Sequence, residues 1–152
     1  MTTNKPRRDT TLLTENDLRQ FTGTMQYWRS GSPFHPFLYT DGVQYLAQHG
    51  EAYWLLDLIA SWQIEPAVRN DPVLLEMQFW TLTVHENSSA VAICERDSDD
   101  VVVRQKIPYT DFPLKEVRLY LAHVGNYWNY DPVQDGPRGN ANYGILLLPS
   151  EY

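Results

Sequence analysis

The spacing of apolar positions changes period near residue 70. In the first half, Leu55, Leu58, Ile59 and Trp62 recur at i, i+3, i+4 and i+7, which gathers them on one helix face. This predicts a helix from about Glu51 to Trp62, with Tyr53, Asp57 and Ser61 at i+4 spacing on a neighbouring face. Thr40-Asp41-Gly42 offers an N-cap for a helix reaching about His49, and Gly50 a stop. Thr14 with Asp17 three residues on has the form of a capping box before a short helix over Glu15–Gln20. Between these helices, residues 25–38 hold Pro33 and Pro36, which forbid a regular helix. Tyr27, Trp28, Phe34 and Phe37 are too apolar for a free loop, so this segment is expected to lie irregularly over the core.

Beyond Asn70-Asp71-Pro72 the pattern alternates. Leu74–Val84, Ala90–Glu95, Val101–Ile107, Val117–His123 and Ile145–Leu148 read as strands, the first three joined by short polar linkers suited to hairpins. In the fourth, Val117, Leu119, Leu121 and His123 share one side, and Arg118, Tyr120 and Ala122 the other. The expectation is an α+β fold: two or three N-terminal helices packed on one face of a four- to five-stranded antiparallel meander sheet.

Residues 124–144 break this regularity. A link of that length without periodicity is usually functional or disordered. It carries Tyr127, Trp128 and Tyr130 beside Asn126 and Asn129, then a Gly-, Pro- and Asn-rich stretch. Rigid aromatics among adaptable polar residues suit a contact surface, and these five are the candidate binding residues.

Composition narrows the picture. A chain of 152 residues fits a single domain, taken as residues 14–152 behind a flexible basic arm over residues 1–13. Net charge is −7. With Lys5, Arg7 and Arg8 of the arm set aside, nine basic residues stand against 19 acidic ones, a poor match for a phosphate backbone. No signal-type apolar segment and no membrane-length run occurs, and the lone Cys94 suits a reducing compartment, so a cytoplasmic protein is expected.

The pieces Phe21-Thr-Gly-Thr24, Tyr39-Thr-Asp-Gly-Val43, Tyr45-Leu-Ala47, Ala52-Tyr-Trp-Leu-Leu-Asp57, Ile59-Ala-Ser61 and Leu146-Leu-Leu-Pro-Ser-Glu-Tyr152 together resemble an uncharacterised family of small bacterial proteins, also met on phages and plasmids, known only as a domain of unknown function. The resemblance is dense over residues 21–62 and clear at the last strand. It implies a bacterial or mobile-element setting and carries no activity, cofactor or catalytic residue. The long 124–144 link departs from the tight hairpin expected before the Leu-Pro-Ser-Glu-Tyr ending.

No phosphate loop, dinucleotide fingerprint or nucleophile elbow is present. His35, His49, His85 and His123 share no ligand spacing, and one cysteine excludes a structural zinc site of Cys₄ or Cys₂His₂ type. No cofactor, metal or catalytic residue is assigned. Cys94 reads as a buried inert thiol. Asp57 reads as a carboxylate accepting hydrogen bonds at the helix–sheet junction, and Asp97, Asp99 and Asp100 as a solvated turn. The functional expectation is a non-enzymatic interaction protein that binds a protein partner, as an inhibitor or adaptor of a host or phage defence complex. The alternative is a small enzyme using Asp57 and a sheet histidine.

Overall fold

The computed structural model describes residues 12–29, 36–137 and 143–152. Most of the basic arm, with Lys5, Arg7 and Arg8, lies outside these residues, as do Phe34, His35 and the tip of the 124–144 link. The first described helix, α1 (Glu15–Arg19), starts as its capping pattern predicts: the Thr14 hydroxyl accepts from the Asp17 amide and the Asp17 carboxylate accepts from the Thr14 amide. Leu13, just before it, is buried in the core. A short strand, β1 (Phe37–Tyr39), leads into α2 (Asp41–His49), capped by Thr40 and closed at Gly50. Glu51 adopts a positive φ of 51°, so the chain turns sharply before α3 (Tyr53–Gln63). Two one-turn helices follow, α4 (Pro66–Arg69) and α5 (Pro72–Glu76).

The sheet then forms from β2 (Met77–Val84), β3 (Ala90–Glu95), β4 (Val101–Ile107), β5 (Glu116–Ala122) and β6 (Gly144–Leu147), with β1 as sixth strand in the order β1-β6-β5-β2-β3-β4. Between β5 and β6 lie α6 (Gly125–Trp128) and α7 (Pro132–Asp135), and a 3₁₀ turn over Pro149–Glu151 ends the chain.

The fold is α+β, but the expected architecture is corrected in three ways. The sheet is mixed, because β1 pairs with β6 in parallel, Phe37 beside Gly144 and Tyr39 beside Leu146. It is not a meander: after β4 the chain returns past β2 and enters as β5 on its far side, tucking Phe112 and Leu114 of the intervening link into the core. Helices also occur beyond the N-terminal half, and the seven helical segments among the described residues include two within the link after β5. The strand expected from Leu74 begins at Met77, because Asp71 caps α5 by accepting from the amides of Val73 and Leu74. Proline at the first helical position suits that turn.

The core lies between α2–α5 and one face of the sheet. Leu46, Leu56, Ile59, Val68 and Leu74 meet Trp80, Leu82, Ala92, Cys94, Val103, Leu119 and Leu121. Of the predicted inward face of α3, Leu55, Leu58 and Ile59 are buried. Trp62 is half-buried, and its indole donates to Gln105 on β4 at 2.7 Å, tying the helix to the sheet edge. The two buried glutamines are paired: Gln63 and Gln78 exchange amide hydrogen bonds at 2.9 and 2.7 Å, and Trp80 donates to Gln78 at 2.8 Å.

Candidate functional site

The strands bury alternate positions, so their other face is readable row by row. Register places Tyr120 beside Phe79 and Phe79 beside Glu95; in the next row come Arg118, Thr81, Ile93 and Arg104. Over β5, β2, β3 and β4 these residues are half-exposed or exposed, so no helix among the described residues closes this face. An open antiparallel sheet face is ordinarily polar. Here Phe79 and Tyr120 meet edge to face at 5.1 Å, and Tyr120 meets Tyr152 likewise at 5.7 Å. Tyr152 is 76% exposed. Ile93 and Val91 continue the apolar strip across β3.

This face is not flat. A cavity of about 310 Å³ sits over Phe79 and Thr81, walled by Tyr120 and Arg118 on one side and by Glu95, Asp97, Ser98 and Asp99 on the other. The turn after β3 is held over the strand end by the Asp99 amide, which donates to Glu95 at 2.9 Å. A wider groove of about 550 Å³ runs between α1, β5 and Pro149. Its charged rim includes Glu15 and Arg19, which pair with each other, so its chemistry does not converge on a ligand.

The five residues singled out in the 124–144 link lie in and after α6. Asn126 and Asn129 are exposed, while Tyr127, Trp128 and Tyr130 are half-buried. Trp128 packs against the core, with the Arg69 guanidinium 4.1 Å from its ring centre. Its Nε1 is buried without a hydrogen-bond partner among the described residues. Tyr127 meets Trp128 edge on at 4.9 Å and tilts against Tyr143 at 5.4 Å. The Tyr130 hydroxyl donates to the Gly136 carbonyl. The link is thus organised around its aromatics, with the asparagines outermost.

The other candidates are dispersed. Asp57 is exposed on α3, which corrects its expected burial at the helix–sheet junction: its stripe with Tyr53 and Ser61 is the outward one. Nearby, the Tyr39 hydroxyl is pushed above its ordinary range, first by burial and then by Tyr53 and the negative charge of Asp57. Tyr53 donates to Gln44 at 3.1 Å. His85 is exposed in the β2–β3 turn and His123 is exposed after β5, at the opposite end of the sheet. Cys94 is fully buried, and burial, with the charges of Glu95 and Asp71, pushes its thiol up to about 12. So high a value leaves no thiolate for nucleophilic chemistry at neutral pH. Asp100 is not simply solvated: Arg96 clamps it at 2.9 Å and reaches Asp71 at 2.5 Å. Among the described residues no group of three or more His, Cys, Asp or Glu is placed to hold a metal ion, and no helix is long and apolar enough to cross a membrane.

Sequence reasoning passed over Phe79, Tyr152 and Glu95. The available signal was an aromatic on the polar side of a strand: Tyr120, opposite in phase to Leu119 and Leu121.

Three of the pieces that carried the family resemblance, at residues 21–24, 39–43 and 146–152, converge in space. Thr40 donates to Glu151 at 2.6 Å, and the amides of Gly42 and Leu148 donate to the same carboxylate at 3.0 and 2.9 Å. Asp41 accepts from the Met25 amide and from the Trp28 indole, and its own amide donates to Thr24. Neither the curated proteins nor the solved structures contain a match to the chain. The model of a family of unknown function, DUF6876, matches residues 12–152, the whole of the folded unit described above, and the chain belongs to that family.

Proposed function

We propose that the chain is a non-enzymatic binding module whose uncovered sheet face takes up a protein partner. The observation that carries this is the contiguous set of Phe79, Tyr120, Tyr152 and Ile93, left half-exposed or exposed where an open sheet face would ordinarily be polar. Tyrosine and phenylalanine there offer large rigid contact area at small entropic cost. In the finer reading the protein acts in the cytoplasm of a bacterium or for its mobile elements, as an inhibitor or adaptor of a host or phage defence complex. The net charge of −7 favours a protein over nucleic acid as the partner.

A second surface competes with the first. Exposed Asn126 and Asn129 flank Trp128, whose buried indole N–H is unpartnered among the described residues. A photo-crosslinking amino acid placed singly at Thr81, Asn129 or Glu65 in the full chain, expressed in a bacterium, separates the two. The expected result is a discrete adduct from Thr81 and none from Glu65, which lies exposed between α3 and α4. An adduct from Asn129 alone transfers the contact to the α6 segment. No adduct at either surface overturns the protein-binding reading.

A further inference from the structure

We infer that the cavity on the uncovered sheet face receives one basic side chain, a lysine ammonium or an arginine guanidinium, projecting from the protein partner. The inference rests on the face being the contact surface and specifies the chemistry it recognises. Three features of the site converge.

The first is the floor. Phe79 stands between Tyr120 on β5 and Glu95 on β3, in register with both. Directly opposed residues of neighbouring strands lie close enough to act on one ligand atom. An aromatic ring next to a carboxylate offers a cation two attractions at once, the negative ring face and the formal charge.

The second is the charge balance of the walls. Glu95, Asp97 and Asp99 line the cavity, and none of them has an ion-pair partner among the described residues. Of the nearby cations, Arg96 is paired with Asp71 and Asp100, and Arg118 with Glu116 at 3.2 Å, while Arg104 stands a row away on β4, beside Ile93 and outside the cavity lining. An anionic group entering here meets three like charges. An apolar group strips water from carboxylates and returns no hydrogen bond. A basic group satisfies both ring and carboxylates.

The third is size. About 310 Å³ lies at the bottom of the range of roughly 300–1,000 Å³ typical of small-ligand sites. That volume suits one side chain.

The test titrates the full chain with N-acetyl-arginine amide, and separately with N-acetyl-glutamate amide and calcium chloride, following backbone amide shifts by NMR at physiological ionic strength. The expected outcome is saturable shifts at Phe79, Thr81, Glu95 and Tyr120 with the arginine probe alone. The pair E95Q/D97N, which preserves shape, weakens that binding by about three- to fivefold, the order of an exposed cation–π and ion-pair contribution. Unsaturated shifts spread over all surface carboxylates, equal binding by the pair variant, or a response to calcium only each overturn the inference. Its failure is distinguishable from that of the parent reading. An adduct at Thr81 without arginine binding removes the basic side chain but keeps the face. Arginine binding without an adduct keeps the cavity but removes the protein partner.

Discussion

Two regions of this molecule are built from similar side chains and treat them in opposite ways. At the start of α2, Thr24, Trp28, Thr40, Asp41 and Glu151 aim their polar atoms at one another across more than a hundred residues of chain. Glu151 alone accepts from Thr40, Gly42 and Leu148. On the uncovered sheet face, Phe79, Tyr120 and Tyr152 touch only edge to face, and Glu95, Asp97 and Asp99 have no ion-pair partner among the described residues. Polar and aromatic residues at the first region are explained by folding. At the second, Glu95 helps hold the turn after β3 by accepting from the Asp99 amide, but the rings and the unpaired carboxylate charge are left over once folding is explained, and the binding proposal rests on that remainder.

The largest effect is expected at the first region. Glu151→Ala removes three hydrogen bonds to a carboxylate and strands their donors, so it should destabilise by about 3 kcal/mol. Gly42→Ala acts on the same contact from the other side. A Cβ there would stand 2.7 Å from both Glu151 Oε1 and Leu148 Cδ1, and overpacking of this kind costs about 1–3 kcal/mol. The double variant should cost less than the sum, because truncating Glu151 removes part of the clash. Urea unfolding midpoints of the three variants measure this. Additive losses would show that residue 42 and Glu151 do not share a contact, and the interlocked region would dissolve into separate caps.

Much of the first region's local framework is visible in the sequence. The capping box of Thr14 and Asp17, the cap at Thr40 and the stop at Gly50 act through neighbours three or four residues away, so a short window reveals them. The alternation of Trp80 and Leu82, and of Val117, Leu119 and Leu121, is visible for the same reason. What joins Thr40 to Glu151 is not, because no local pattern encodes a pairing 111 residues apart. β1 was hidden differently: all three residues are buried, so no alternation betrays it, and its parallel partner closes the chain. The two Asp-Pro steps are legible in the sequence, but what each starts is not. Asp71 and Asp131 each accept from the amide two residues on, with proline at the first helical position. Asp-Pro here starts a helical turn rather than marking a loop. Of the candidate site, Tyr120 could be read from its phase, but the cavity depends on the Asp97–Asp99 turn folding toward β2 and β5, which only the register reveals.

A smaller effect separates the two regions by pH. Asp41 is held below the usual carboxylate range, chiefly by the Met25 amide and then by the Trp28 indole. Its folded form therefore favours ionisation. The stability it contributes is fully present above the ordinary aspartate value near 4 and is lost as pH falls through its lower folded value. Asp71 and Asp100 add to the same acid limb: burial of Asp71 raises its value, but Arg96 and the α5 amides outweigh that, and Arg96 lowers Asp100. Asp41→Asn should flatten the decline in unfolding free energy below about pH 4. An unchanged acid limb would mean that the strap carrying Met25 and Trp28 is not fastened to α2.

The smallest effect is expected on the uncovered face, and it is the one that can break the comparison. Phe79→Thr removes a half-exposed ring that meets Tyr120 at 5.1 Å and stands in register with Glu95 on β3. Threonine supplies a β-branched side chain that suits a central strand. An aromatic pair of this kind is worth about 0.5–1.5 kcal/mol beyond its area, so the loss should be about 1 kcal/mol, well below that of Glu151→Ala. The same variant should abolish most of the adduct formed from Thr81, since a few central aromatics carry most of the energy of an interface. Measuring both on one protein decides the matter. A loss of stability as large as that of Glu151→Ala would show that Phe79 belongs to the core, and the contrast between the two regions would vanish. A small loss with the adduct intact would leave Phe79 without a role in either. A small loss with the adduct gone is the signature of a residue that the fold tolerates and the partner needs.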